Sequence, residues 1–370
     1  TKVGVLQQNL INSACNRILG NEIEASLIIG GEARHKKIKA VKENKKYIET
    51  ELSENPDHYV KPKDGLHIKE EENELGLMAV GYYAILESAY RASLNLSISK
   101  HQEQISKMYE EFSEIAASNV DGWLSESLTY KEIATPSTKN PSQSTPYNKY
   151  HCTSWNVNQA SAMVICSEEL ADTLNVPKEK RIYPLASSET NHMIAAIQRP
   201  NLIKPEGLKL AAKFILDICK KNKIKPNTYE LYSCFPIAVQ MFADALGLNK
   251  EEVKTVTGGM SFAGGPLNHY VIQSTVKMLN EIRKDNSKIG LVTGVSGMMT
   301  KQSFALWAKK PLIDFISKDV TSDAESFEKP VELSKLEDGS GTVLGYTTLV
   351  DEADKKLKAV IYIEDTQNKR

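Results

Sequence analysis

The fold of this chain is decided by one stretch, Val256-Thr257-Gly258-Gly259-Met260-Ser261-Phe262-Ala263-Gly264-Gly265-Pro266-Leu267-Asn268-His269-Tyr270. Two glycine pairs bracket a short apolar segment, and apolar residues then recur at helical intervals over 267–283. Glycine permits positive φ and the close approach of a ligand, and proline suits the first turn of a helix. The pattern predicts a tight turn that leads into a helix, whose N-terminus can hold an anion or an oxyanion. It fits a β-to-α turn without a ligand equally well.

Composition excludes several classes of protein. The chain has 370 residues, enough for two or more compact domains. Its 46 Lys and Arg residues nearly balance 47 Asp and Glu residues, so the charge indicates neither a nucleic acid nor an acidic membrane as partner. No apolar run approaches the ~20 residues that span a bilayer, and the pattern of a secretory signal is absent. We therefore expect a soluble protein.

The cysteines and histidines are scattered along the chain. The 5 cysteines form no C-x-x-C pair, so they indicate neither a disulfide framework nor a zinc site, and a reducing cytoplasm is the expected location. The 7 histidines include no i,i+4 pair and no H-E-x-x-H motif, so we expect no metal.

Residues 1–34 predict a helix followed by a strand. An apolar helical stripe runs from Leu6 to Ile18 and ends at Gly20, and residues 25–29 form a short apolar strand that we expect to be buried. Cys15 lies within the stripe, where a cysteine is more often a small buried side chain than a reactive thiolate.

Residues 35–150 predict a mostly helical insertion. The segment 98–118 has a clear amphipathic stripe, 75–96 is apolar and helical, and the proline-rich segment 135–147 is a connecting loop. After the insertion, helices and strands alternate. The predicted strands are 156–167, 181–187, 229–233, 289–297 with the antiparallel 303–307, and a final pair at 341–350 and 358–363. A hairpin alone is marginal in water, so the final pair must pack on the body.

The glycine-rich stretch resembles the G-G-x-x-x-x-G-H-P segment of thiolases, which make or cleave carbon–carbon bonds on acyl-CoA through a cysteine acyl-enzyme. In this alignment Gly265 replaces the catalytic histidine. The segment Tyr232-Ser233-Cys234-Phe235 is similar to the family's N-E-A-F motif and closer to the H-D-C-F of sterol-carrier-type thiolases. Tyr232 then stands where the family has the Asn or His that holds a catalytic water, and Cys234 matches a variant position that is not the nucleophile.

Two further reactive positions of thiolases have no counterpart. The segment 289–297 is similar to the C-x-G-G-G segment, with Gly294, or Thr293 one register away, at the acid/base cysteine. The turn at Gly30 resembles the turn after the family's nucleophile, which places that nucleophile near Val3, where no cysteine occurs. The resemblance begins within the family's N-terminal half, so the chain is either a fragment or a trimmed fold.

The resemblance implies a thiolase-like layered α/β/α/β/α fold of the acetyl-CoA acetyltransferase-like branch. Residues 1–34 and 151–190 would be the remnant of an incomplete N-terminal half, and 205–315 the C-terminal half. Residues 35–150 would be the helical insertion, either a lid over coenzyme A or a unit that only packs, and 316–370 a β-rich C-terminal extension.

Two functions follow from the resemblance. The first is an acyltransferase with a non-standard site, in which the turn at Gly264 and Gly265 is an oxyanion hole, His269 is the base and Tyr232 donates a hydrogen bond. If the helix starts at Pro266, His269 points back over Gly265, and the helix N-terminus keeps its imidazole neutral. Substrate contacts are expected from Gly264, Asn268, Ser233, Cys234 and His192.

The second function is a non-catalytic acyl-CoA-binding or complex-forming subunit, because covalent Claisen chemistry is unsupported without the cysteine. In both cases a coenzyme A thioester is the expected ligand, without another cofactor. We also expect a homodimer or higher oligomer, since the strand 25–29 has too little charge for an exposed edge.

Overall fold

A computed structural model describes residues 4–49, 55–62, 65–249, 252, 254–334, 339–350 and 357–370. The helices are α1 (Gln8–Leu19), α2 (Arg34–Lys42), α3 (Lys69–Leu75), α4 (Ala79–Ser93), α5 (Ile98–Ser118), α6 (Tyr130–Ala134), α7 (Glu168–Thr173), α8 (Glu206–Asn222), α9 (Pro236–Leu246), α10 (Gly259–Phe262), α11 (Tyr270–Lys284) and α12 (Thr321–Phe327). The strands are β1 (Ala25–Ala33), β2 (Ser142–Ser144), β3 (Tyr147–Asn148), β4 (Asn158–Cys166), β5 (Tyr183–Thr190), β6 (Thr228–Glu230), β7 (Ile289–Ser296), β8 (Lys301–Ala308), β9 (Ile316–Asp319), β10 (Gly341–Val350) and β11 (Leu357–Asp365).

A five-stranded mixed sheet forms the centre of the molecule. Its strand order is β6-β7-β8-β5-β9, with β8 antiparallel to both neighbours, as the sequence predicts for β7 and β8. Helices α8 and α9 lie on one face and α1 and α11 on the other. Every residue of β8 is buried, because both faces of this strand are covered.

A second, two-stranded sheet lies on the other side of α1 and α11. Strands β1 and β4 are antiparallel, with Ala25 opposite Cys166. The inner residues Ile28 and Met163 pack into the core, whereas the outer residues Leu27 and Val164 are 63% and 68% exposed. The expectation that the strand at 25–29 is buried is therefore wrong for the outer face, which nothing in the described part of the chain covers.

The C-terminal strand pair packs on the insertion. Strands β10 and β11 form the predicted antiparallel hairpin, and β2 and β3 of the insertion extend it into one four-stranded sheet. This sheet lies against α4, where the backbone N–H of Tyr346 donates to Ser88 Oγ at 2.7 Å. Helix α5 has the bounds predicted from its stripe. The insertion and the extension thus share a sheet and a core.

The predicted layered α/β fold is confirmed. A two-stranded sheet, two helices, a five-stranded sheet and a further helical layer follow one another. An outer helical layer over the two-stranded sheet is not formed by the described residues.

Candidate functional site

A buried carboxylate anchors the glycine-rich stretch. Glu230, at the end of β6, accepts hydrogen bonds from the backbone N–H groups of Val256 and Thr257 at 2.7 and 2.9 Å. It also accepts from Thr255 Oγ1, Thr257 Oγ1 and the hydroxyl of Tyr270, at 3.0, 3.1 and 2.6 Å. Burial raises the pKa of Glu230 in spite of these donors. One side chain therefore joins the start of the stretch to the start of α11.

Two glycines of the stretch lie where a larger side chain would not fit, and one of them also has a positive φ. Gly258 has a φ of +95°, and a Cβ there would lie 2.3 Å from the backbone nitrogen of Ala116 on α5. Gly265 lies against Met260 and Thr153, which leave no room for a Cβ. The N–H of Gly265 donates to the carbonyl of Ser154 at 3.0 Å, so this predicted oxyanion donor already has a partner.

His269 has a different place from the one predicted. Helix α11 begins at Tyr270, and His269 is its N-cap residue with a φ of −135°, because residues 266–269 form a turn. The prediction that His269 and Gly265 share a helical face is therefore wrong. The imidazole is fully buried against Gly30 of β1, with Nε2 3.3 Å from Ser161 Oγ. Burial lowers its pKa to about 4.

A cavity of about 540 Å³ opens where four segments that carry the resemblance meet. These segments contribute Gly4 and Val5, then Tyr232, Cys234 and Phe235, then Gly265, Leu267 and Asn268, and finally residues 295–298. A fifth wall comes from the insertion, through Leu66, residues 77–80 and Tyr83. The volume lies within the usual range of ligand pockets.

The predicted site residues divide into two groups. Tyr232, Cys234, Gly265 and Asn268 line the cavity, and Asn268 Oδ1 lies 3.4 Å from Gln7 Nε2. The other predicted residues, Gly264, Ser233, His269 and His192, are not among the described residues that line it.

Two of the residues outside the cavity have clear structural roles. Ser233 is buried and its Oγ accepts the N–H of Met260 at 3.0 Å. His192 lies in a separate small cavity, where its Nε2 is 3.1 Å from the carbonyl oxygen of Glu328. Their assigned roles in substrate binding have no geometric support.

The thiols of the cavity are held in the protonated form. Burial raises the pKa of the Cys234 thiol to about 12, and burial followed by the nearby Cys234 raises that of Cys152 further. Cys15 is buried in α1, as predicted, and its pKa is about 12. None of these thiols is a ready nucleophile at neutral pH.

General acids and bases are scarce in the cavity. No His, Asp or Glu occurs among the described residues that line it. The predicted nucleophile position near Val3 lies outside the described residues. Gly294 and Thr293 are the two residues aligned with the acid/base cysteine of thiolases. Gly294 is buried in β7, and Thr293 Oγ1 accepts the N–H of Tyr232 at 2.8 Å.

Several lining residues escaped the sequence prediction. Tyr83 of α4 donates to the carbonyl of Gly297 at 3.0 Å, and Lys149, Cys152 and Trp155 follow the proline-rich loop. They belong to the segment 35–150 or directly follow it, and no local motif marks them. The apolar character of α4 on nearly all sides was the only signal, since it indicates burial.

Neither a metal cluster nor a membrane helix is found in the described ranges. No three His, Cys, Asp or Glu side chains among these residues could hold a metal ion. None of the helices formed by these residues is both long and apolar enough to cross a membrane. The predicted independence from metal stays a prediction.

Comparison with known proteins shows a likeness in structure. No protein-family model matches the chain, and no curated protein matches its sequence. A monomeric SCP2-thiolase-like protein type 1 from Mycobacterium smegmatis is 22% identical, with a TM-score of 0.82 over 100% of this chain and 75% of the other.

Two further solved structures are similar at lower identity. The dimeric peroxisomal thiolase of Saccharomyces cerevisiae has a TM-score of 0.51 at 14% identity, over 82% of this chain and 73% of that one. The Ltp2–ChsH2(DUF35) aldolase has a TM-score of 0.60 at 12% identity, over 84% and 79%. The chain therefore has the fold of the thiolase superfamily.

Proposed function

We propose that this thiolase-fold chain binds an acyl-CoA or a related thioester in the 540 Å³ cavity without forming a covalent acyl-enzyme. The observation that carries the proposal is the chemistry of the lining. The thiols of Cys152 and Cys234 have raised pKa values, and no described imidazole or carboxylate faces them. A thioester bound there meets hydrogen-bond donors and apolar walls but no activated nucleophile.

The walls suit the two parts of such a ligand. The side chains of Leu77, Val80 and Phe235 offer an apolar surface to an acyl chain. The exposed Lys149 also lines the cavity, and Arg34 stacks over the Trp155 ring at 4.2 Å. Such cations suit the phosphates of coenzyme A. Because the insertion supplies much of this wall, its proposed role as a lid is supported.

Calorimetric titration with acetyl-CoA and decanoyl-CoA tests this function. We expect both to bind, the longer chain more tightly, with no release of free CoA and no change in the intact mass of the protein. The variant Val80→Trp, which fills the cavity, should weaken binding at least tenfold, whereas Val120→Trp, at a 94% exposed position, should not. Absence of binding by the wild-type protein would refute the proposal.

Acyl transfer is the competing function, and the same experiment separates the two. Tyr232 and Asn268 do face the cavity and can hold a thioester carbonyl. Acetyl-CoA would then yield free CoA or a protein heavier by one acetyl group. If alkylation of Cys234 or Cys152 abolished that product, catalysis would replace simple binding as the function.

We also propose a homodimer formed through the two-stranded sheet. Its outer face is apolar, and its two ends differ in charge, with Glu24 and Glu169 at one end and Lys36 and Lys37 at the other. A second copy, related by a twofold axis perpendicular to the strand direction, places its basic end opposite the acidic end of the first. The similar structures include a monomeric and a dimeric protein, so the fold leaves the assembly open. A monomer in sedimentation at micromolar concentration would contradict this proposal.

Partner and location are further proposals. The similarity to the Ltp2–ChsH2(DUF35) aldolase supports the alternative of a subunit that forms a complex. The five cysteines are all free thiols, which supports the cytoplasmic location expected from the sequence.

A further inference from the structure

A fully buried arginine lies behind the cavity wall. Arg199 is 1% exposed, and its guanidinium donates hydrogen bonds to the carbonyl of Met298 and, at 3.5 Å, to that of Leu202. Met298 itself lines the ligand cavity. Arginine keeps its charge in proteins, and a buried charge contributes little net stability compared with an apolar side chain of similar volume. Packing alone therefore does not explain an arginine at this position.

The turn that Arg199 contacts has a conformation that needs support. Gly297 has a φ of +72° and Met299 a φ of +54°, which is unusual for a residue with a side chain. On the cavity side, the Tyr83 hydroxyl donates to the Gly297 carbonyl at 3.0 Å and accepts the N–H of Met299 at 3.3 Å. On the opposite side, Gln302 Nε2 donates to the Met299 carbonyl, and Arg199 holds the carbonyl between these two.

Two carboxylates balance the charge of Arg199 and connect it to other parts of the chain. Burial lowers the pKa of Arg199, and the carboxylates of Glu71 and Glu328 oppose this effect. Glu71, on α3 of the insertion, accepts hydrogen bonds at 2.7 Å from both the N–H of Ile197 and the hydroxyl of Tyr362. Tyr362 belongs to β11 of the C-terminal hairpin. The insertion and the hairpin therefore meet at Glu71, one of the two carboxylates whose charge counteracts the lowering of the pKa of Arg199 by burial.

We propose that Arg199 is a positioning residue, which holds the turn 296–299 in the shape that the ligand meets. The inference rests on the proposed function, because it assumes that the ligand occupies the cavity. Because Glu71 of the insertion and Tyr362 of the C-terminal hairpin are hydrogen-bonded, the shape of this cavity wall then also depends on how these two parts dock. Loss of Arg199 then frees the Met298 carbonyl and lets the strained turn relax.

The test uses two variants that separate positioning from stability. Arg199→Met removes the hydrogen bonds but leaves two carboxylates without their cation. Arg199→Met combined with Glu71→Gln also removes one of these charges and should recover part of the lost stability. The core variant Ile215→Ala, at a fully buried position of α8, is the control with a comparable loss of melting temperature.

Two measurements are made on each variant: the Kd for decanoyl-CoA, and amide hydrogen exchange of the segment 295–303. We expect both arginine variants to bind at least tenfold more weakly and to exchange at least tenfold faster in this segment, whereas Ile215→Ala changes neither. Wild-type affinity or wild-type exchange in the double variant would overturn the inference. If the wild-type protein bound no acyl-CoA, the proposed function would fail, and the exchange measurement would still decide the role of Arg199.

Discussion

The five-stranded and the two-stranded sheet of this molecule contain strands of similar length but very different burial. In β8 of the five-stranded sheet all eight residues are buried, including the polar ones. In β1 of the two-stranded sheet, by contrast, only Ile28 is fully buried and alternate residues face outward. Helices cover both faces of the first sheet and one face of the second within the described ranges.

The difference in burial decides whether polar groups need hydrogen-bond partners within the protein. Lys301 of β8 is 3% exposed, and its Nζ donates to the carbonyl of Gly4 at 2.9 Å. Glu230 in the same sheet has several donors around one carboxylate. No such network is required on the outer face of β1, where solvent is present. We therefore expect substitutions in the five-stranded sheet to cost much more stability than those on the outer face of β1.

The largest effect is expected at Glu230. Glu230→Ala removes the acceptor that two backbone N–H groups and three hydroxyls share, so the free energy of unfolding should fall by at least about 3 kcal/mol. Urea denaturation measures this loss. Glu230→Gln keeps one acceptor oxygen and should lose less. A loss below about 1 kcal/mol in Glu230→Ala would show that water replaces the carboxylate.

A matched pair of leucine substitutions tests the comparison directly. Leu306→Ala, at a fully buried position of β8, should lower the free energy of unfolding by about 2–5 kcal/mol through the lost burial and the cavity left behind. In protein dilute enough to be monomeric, Leu27→Ala, at a 63% exposed position of β1, should change it by less than about 0.5 kcal/mol. Equal losses in dilute protein would mean that another part of the molecule covers the outer face of β1.

A pH dependence is expected at the inner side of the two-stranded sheet. The pKa of His269 is lowered to about 4 by burial, so the unfolded chain binds a proton first as pH falls. Stability present above pH 6.5 is then lost between pH 6.5 and about 4, by up to about 3 kcal/mol, since one pKa unit corresponds to about 1.4 kcal/mol.

Chemical denaturation between pH 7 and 4 measures this loss, to which the buried His151 also contributes, because its pKa is lowered to about 3. His269→Asn should make the loss smaller, whereas His58→Asn, at an exposed position, should leave it unchanged. An unchanged pH dependence in His269→Asn would show that the imidazole takes up its proton in the folded state.

The sequence by itself determined several of the helices and strands, and its resemblance to thiolases implied the layered fold. The bounds of α5 follow from a stripe with helical spacing, and the end of α9 follows from Gly247, which has the left-handed conformation that glycine favours. The positions of the glycine-rich turn and of the C-terminal hairpin also follow from local patterns. These features depend on residues that are close in sequence, so periodicity and turn chemistry contain the necessary information.

Only the tertiary structure decided which side chains share a site. Tyr83 and Gly297 are hydrogen-bonded although 214 positions separate them in the chain. His269 was predicted within a helix, but the turn before α11 places it against β1, away from Gly265. Packing between distant segments also set the burial of β1 and the raised pKa of Cys234. Such contacts depend on how the layers stack in space, and a local pattern contains no information about that.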